Sequence, residues 1–183
     1  MPNRFNIHTP ITLIANGRSG TSLVQGIFSH HPHFDTCGET ASLLFGVWYA
    51  TEQLKGLVRP DLELGSEGDF DQRCGKAVRA SFIATFRAPK KTFWMHKPIS
   101  IPWVWQVLKN HGLTDAECVT WYWNALNTAF PEAVNITILR HPYDVVLSAM
   151  AFWGISAKAA WTSIVKMARI LAHPDASVKY AQL

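Results

Sequence analysis

A short apolar run ends abruptly in a glycine turn and is followed at once by a helical pattern. This junction limits what the chain can fold into. Pro10-Ile11-Thr12-Leu13-Ile14-Ala15 is apolar and partly β-branched, the composition of a buried strand. Asn16-Gly17-Arg18-Ser19-Gly20 breaks it as a turn, and Thr21 and Ser22 stand where a helix cap is wanted. Leu23, Val24, Ile27 and Phe28 then share one side of a helix that must end near His31, because Pro32 follows. Strand, glycine turn and helix together open a βαβ unit.

The same alternation continues along the chain. Leu43, Leu44, Val47, Trp48 and Leu54 predict a second amphipathic helix, stopped by Gly56. Residues 57–72 hold Asp61, Glu63, Glu67, Asp69 and Asp71 among Pro60, Gly65 and Gly68, which reads as a solvated loop. Residues 73–97 are the opposite, with Arg73, Lys76, Arg79, Arg87, Lys90, Lys91 and Lys97 and no acid. Thr92–His96 reads as a strand, Val104–His111 as a short helix and Asp115–Phe130 as a helix ended by Pro131. Asn135–Leu139 is a further strand, and Pro142 suits the first turn of a helix whose apolar face is Val145, Val146, Ala149 and Phe152. Ala157–Ala172 predicts one more helix, and Val178-Lys179-Tyr180 the start of a last strand. Strands alternating with helices predict a single α/β domain with a mainly parallel sheet, and such sheets bind ligands beyond the carboxyl ends of their strands.

Composition removes several classes. The 183 residues are 48% hydrophobic, too apolar for a disordered chain and enough to bury a core. No apolar run approaches the ~18 residues of a membrane span. Nothing behind Met1-Pro2-Asn3 has the form of a signal peptide. Cys37, Cys74 and Cys118 lack metal-like spacing, and an odd count without a leader suits reduced thiols in the cytoplasm. The net charge of +4 suits an anionic ligand without establishing one. His30, His31 and His33 straddle a helix end and Pro32, so packing or capping is the simpler use of them. Most of the eight tryptophans are expected in the core, although Trp103 and Trp105 follow Pro102 where a substrate could pass.

Both predicted strands with clear boundaries run into chemically distinctive residues. Gly17-Arg18-Ser19-Gly20-Thr21-Ser22 lets successive N–H groups point at one anion, with the positive end of the helix dipole behind them. A Walker A loop, G-x-x-x-x-G-K-[ST], would have lysine where Thr21 stands and glycine where Ala15 stands. The loop therefore keeps an anion cradle and loses the lysine of an ATPase. The other strand ends in Arg140, where an ATPase wants an acid for magnesium, and Ser148 follows two helical turns later. Each feature also has a plain structural use: a connecting turn, a surface arginine, a helix serine bonded to its own turn.

Together these segments resemble the sulfotransferases that use 3′-phosphoadenosine 5′-phosphosulfate (PAPS). The resemblance rests on Arg18-Ser19-Gly20-Thr21-Ser22-Leu23, His31-Pro32, Cys37-Gly38-Glu39-Thr40, Phe130-Pro131-Glu132-Ala133 and the spacing of Arg140 and Ser148, and covers about residues 11–153. It is strongest to the tyrosylprotein sulfotransferases and their bacterial relatives. It implies a P-loop-like three-layer fold, with Gly17, Arg18, Ser19, Gly20, Thr21 and Ser22 around the 5′-phosphosulfate and Arg140 with Ser148 on the 3′-phosphate. It further implies Arg18 as an active-site arginine, Glu39 as the base and Lys97 as a catalytic cation, with no metal. His96, in His96-Lys97-Pro98, matches instead the base of the cytosolic branch and stays open as an alternative. Tyr180-Ala181-Gln182-Leu183 resembles a Tyr-x-x-Leu segment after which the family continues, so the expectation is a C-terminally truncated domain.

The resemblance implies an anionic nucleotide cosubstrate and a hydroxyl- or amine-bearing acceptor, with neither nucleic acid nor membrane as partner. Two other classes remain at this level. One is a P-loop nucleotide kinase or NTPase. The other is a degenerate anion- or nucleic-acid-binding domain using the basic stretch 73–97, which is read more economically as one wall of an anionic-cofactor cleft.

Overall fold

A computed structural model of the chain describes residues 10–56, 67–86, 91, 93–99, 101–174, 176 and 178–181. Five strands, β1 (Ile11–Leu13), β2 (Phe34–Glu39), β3 (Phe93–Lys97), β4 (Val134–Ile138) and β5 (Val178–Ala181), form one sheet in the order β2-β3-β1-β4-β5. Every neighbouring pair is parallel, with Ile11 opposite both Met95 and Val134. The chain runs from β1 out to the edge strand β2, returns to β3, then crosses β1 to reach β4 and β5. Progress reverses about β1, which sets the crevice of such sheets at its carboxyl end.

Among the described residues seven α-helices surround the sheet: α1 (Thr21–His30), α2 (Ala41–Glu52), α3 (Glu67–Phe86), α4 (Ile101–Asn110), α5 (Asp115–Ala129), α6 (Pro142–Trp153) and α7 (Ala157–Leu171). The larger core lies on one face of the sheet. There Ile14 and Trp94 meet Leu44, Phe45 and Trp48 of α2, Val78 and Phe82 of α3, and Tyr122, Trp123 and Leu126 of α5. On the other face Leu13, Met95 and Ile138 pack with Val24 of α1. The alternation of side chains along a strand thus divides β3: Trp94 and His96 face the large core, while Met95 and Lys97 face the α1 side.

The expected α/β architecture with a parallel sheet is what the chain adopts. Three local expectations are corrected. Residues 34–39 form β2, which the sequence reading did not assign; Asp35 and Gly38 hide it, and it needs only β3 as a partner because it is an edge strand. Residues 67–72, read as loop, are the first turns of α3, whose buried stripe is Phe70, Cys74, Val78 and Phe82. The acids Asp69 and Asp71 sit in its amino-terminal turns, where the helix dipole favours negative charge. Residues 57–66, the rest of that acidic segment, lie outside the described residues. Thr21 and Ser22 do not cap α1 from outside it; Gly20 is the cap residue and Thr21 opens the helix.

The basic stretch 73–97 is not one surface. Arg79 donates to the carbonyls of Thr128 and Ala129 at the end of α5. Lys91 donates through its amide to Asp35 and through Nζ to the His31 carbonyl. Lys97 stands at the end of β3, and Arg87 and Lys90 lie outside the described residues. Trp48, Trp94, Trp105, Trp121 and Trp123 are buried, so Trp105 belongs to the core rather than to a substrate path. The three cysteines are free thiols, and burial pushes that of Cys37 up to about 12. Among the described residues no helix is long and apolar enough to cross a membrane, and no cluster of His, Cys, Asp and Glu is placed to hold a metal ion.

Candidate functional site

The loop between β1 and α1 is wound tightly. Arg18 has φ +69° and Gly20 φ +96°, two left-handed residues two positions apart. A left-handed arginine is uncommon and costs conformational energy, so its surroundings must hold it. They do so at three points. Arg140 Nη1 donates to the Arg18 carbonyl at 3.1 Å, Arg18 Nε donates to Ser148 Oγ at 3.1 Å, and the Arg18 guanidinium lies 4.1 Å from the centre of the Phe152 ring. The close approach continues at Gly17, where a Cβ would stand 2.5 Å from the Trp153 ring. The N–H groups of Leu23 and Val24 bond the Gly20 carbonyl, closing the first turn of α1. The amide groups ahead of them lie before the reach of intrahelical bonding and bring the positive end of the dipole to the loop.

On the other side of the loop stand the ends of β2 and β3. Lys97 Nζ donates to Ser22 Oγ at 3.2 Å and lies 3.7 Å from Glu39 Oε1. The Lys97 side chain is only 7% exposed, whereas that of Glu39 is 60% exposed. The ammonium is thus held by the protein, and the carboxylate remains open to a ligand. The register of β2 against β3 shifts between Thr36 and Glu39, and this irregularity brings Glu39 opposite Lys97. The next residue fixes both: Thr40 donates its N–H to the Lys97 carbonyl and its Oγ1 lies 2.9 Å from His96 Nδ1.

The structure therefore brings together Gly17, Arg18, Ser19, Gly20, Thr21, Ser22, Glu39, Lys97, Arg140 and Ser148, from five separate segments. It does not bring His96 with them. The imidazole is fully buried, its second nitrogen lies 2.9 Å from Thr12 Oγ1, and Phe82, Trp94 and Phe130 surround it. Burial pushes its pKa down to about 3, so the ring is neutral and engaged on both sides.

Arg140 is exposed just ahead of α6, and its Nε lies 4.0 Å from Asp144 in the first turn of that helix. Among the described residues three cations thus lie about the β1–α1 loop: Lys97 on Ser22, Arg140 on the Arg18 carbonyl, and Arg18 itself, its guanidinium held against Ser148 and Phe152 of α6. That arrangement can hold a doubly charged or polyanionic ligand.

Sequence reasoning missed the aromatic support. Phe152 lies against Arg18 and Trp153 on Gly17, both at the end of α6. The available signal was the pair of exposed-looking aromatics directly before Gly154, which has φ +65° and ends the helix. A pocket of about 510 Å³ opens beside Gly17 and Glu39, with Trp103 and Trp153 in its walls.

Compared with known families, residues 10–179 match a model described as the sulfotransferase family. No curated protein matches the chain.

Proposed function

The chain belongs to the sulfotransferase family, and from that premise we propose that it transfers a sulfuryl group from PAPS to a hydroxyl or amine acceptor. The observation that carries this reading is the gathering of Arg18, Lys97 and Arg140 about the loop that leads into α1, with the open carboxylate of Glu39 beside Lys97. The donor set fits an anionic nucleotide: backbone N–H groups at a helix start, two guanidinium groups and a buried ammonium, with threonine in the place of the ATPase lysine.

Bound there, the donor supplies an activated sulfuryl group. The loop Gly17–Ser22 and the amide groups of α1 hold its 5′ end, with Thr21 and Ser22 offering hydroxyls. Arg140 and Ser148 take the 3′-phosphate, and the bond from Arg18 to Ser148 couples the two ends of the site. Lys97 and Arg18 stabilise oxygens on which charge develops. Glu39 accepts the proton of the acceptor hydroxyl. The balance is simple: an acceptor O–S bond forms, the donor S–O bond to its phosphate breaks, the proton goes to Glu39 and 3′-phosphoadenosine 5′-phosphate leaves.

Arg140→Ala tests this assignment. Loss of a charge-assisted bond to phosphate weakens binding by about 10- to 100-fold. Calorimetric titration of the variant with 3′-phosphoadenosine 5′-phosphate is expected to show that loss in a protein that still folds, because Arg140 is exposed and Arg18 keeps its contacts to Ser148 and Phe152. Equal affinity in the two proteins removes Arg140 from the site.

A further inference from the structure

We propose that the pocket beside Glu39 takes an uncharged acceptor whose hydroxyl sits on an apolar body the size of two or three fused rings. The inference rests on the sulfotransfer reading above and adds the acceptor class to it.

Three observations carry it. The first is the wall. Ile99, Trp103, Ala149, Trp153, Ile155 and Ala160 are apolar and come from four different segments of the chain. Two tryptophans favour a flat ligand, because ring faces gain most from offset or edge contacts. The small residues Ala159 and Ala160, at the start of α7, leave the space that larger ones would fill.

The second observation is the poverty of polar groups. Asn16 and Ser163 reach the pocket, and Ser163 Oγ donates to Asn16 Oδ1 at 2.9 Å, so each already satisfies part of the other. Glu39 is the one charged side chain among the described residues that line it. A saccharide would leave several hydroxyls without partners against these walls, which is unfavourable. An acidic peptide would face the Glu39 carboxylate, with no cation among the described residues of the wall to offset it.

The third observation is size and position. About 510 Å³ is roughly three times the ~150 Å³ of an apolar cavity that takes up benzene. The pocket also meets the reaction centre at one end. Gly17 and Glu39 line it, and Glu39 lies 3.7 Å from Lys97 Nζ. A hydroxyl at that end of a bound apolar molecule points to the base and to the loop that holds the donor.

The test uses 1-naphthol as the probe and two variants. Binding to the whole chain is read by calorimetry, with 3′-phosphoadenosine 5′-phosphate titrated separately. Wild type is expected to bind 1-naphthol. Ala159→Phe fills the pocket from an exposed helix position that tolerates the ring, and is expected to remove that binding while leaving nucleotide affinity unchanged. Trp103→Ala removes a ring face and lowers 1-naphthol affinity by about tenfold. In competition, N-acetylglucosamine and a tyrosine peptide flanked by acids do not displace the probe. Failure of wild type to bind 1-naphthol, binding unaffected in both variants, or displacement by the sugar or peptide each overturns the proposal. Loss of nucleotide binding alone, with 1-naphthol still bound and variant-sensitive, overturns the sulfotransfer reading and leaves the apolar pocket standing.

Discussion

Glu39→Gln is expected to abolish nearly all turnover while leaving the protein folded and able to bind nucleotide. The amide has the shape of the carboxylate but cannot take a proton. Removal of a general base typically costs about 10²- to 10⁴-fold in rate. The side chain is 60% exposed, so the substitution asks little of the core. Its partner Lys97 keeps the bond to Ser22. The measurement is kcat under saturating PAPS and acceptor, beside the affinity for 3′-phosphoadenosine 5′-phosphate. A variant with full turnover takes the base role from Glu39. His96 is no ready substitute, because its ring is buried between Thr12 and Thr40 and stays neutral down to about pH 3.

Lys97→Met is expected to separate activity from stability. The ammonium has been taken almost wholly out of water, with a side chain 7% exposed, and a buried charge is costly even when paired. Methionine fills similar space without that cost. Its former partner Glu39 is open to solvent and is not stranded by the change. The melting temperature should therefore stay level or rise. Turnover should fall about 10²- to 10³-fold, as when one electrostatic donor is removed from a developing charge. A folded variant that keeps full rate shows that Lys97 takes no part in the chemistry, and a variant that unfolds shows that the ammonium stabilises the fold. The pattern expected here, a more stable and nearly inactive protein, is that of a residue retained for chemistry at the expense of the fold.

The parts of this fold legible in the sequence were those with a local signal. Pro10–Ala15, the glycine turn and the extent of α1 up to Pro32 declare themselves within about 20 residues, and β4 with α6 does the same through Asn135–Leu139 and Pro142. The expected apolar side of α1 is only half right, because Val24 and Phe28 pack on the sheet while Leu23 and Ile27 are exposed. The edge strand β2 has no such signal: Asp35 and Gly38 interrupt any alternation, and it exists because β3 offers it a partner. In α3 the acids drew attention away from the periodicity. Phe70, Cys74, Val78 and Phe82 recur every fourth residue and are all buried, so the helix was present in the spacing and was obscured by the composition around it.

The site was legible in the same uneven way. Arg18 and Ser22 stand out from their places at the β1–α1 junction, whereas Arg140 and Ser148 are singled out only by the spacing that the family resemblance supplies. In the structure Arg18 meets Ser148 and Arg140, and Ser22 meets Lys97. Weighing His96 against Glu39 as the base needed the faces of β3. Adjacent residues of a strand point in opposite directions, and Trp94, two residues before His96, turns that side into the large core. Lys97 shares its face with Met95 and reaches the loop. Of the apolar pocket the sequence offered only Trp103, as a residue a substrate could pass; the rest of the wall was not legible, because it comes from residues as far apart as Gly17 and Ala160.

The central claim is that the start of α1 holds a 3′-phosphorylated adenine nucleotide. Calorimetric titration of the chain with 3′-phosphoadenosine 5′-phosphate, beside Mg-ATP, tests it most directly. Saturable binding of the 3′-phosphorylated nucleotide, with Mg-ATP much weaker, is the expected result. Preference for Mg-ATP, or binding of neither, contradicts it.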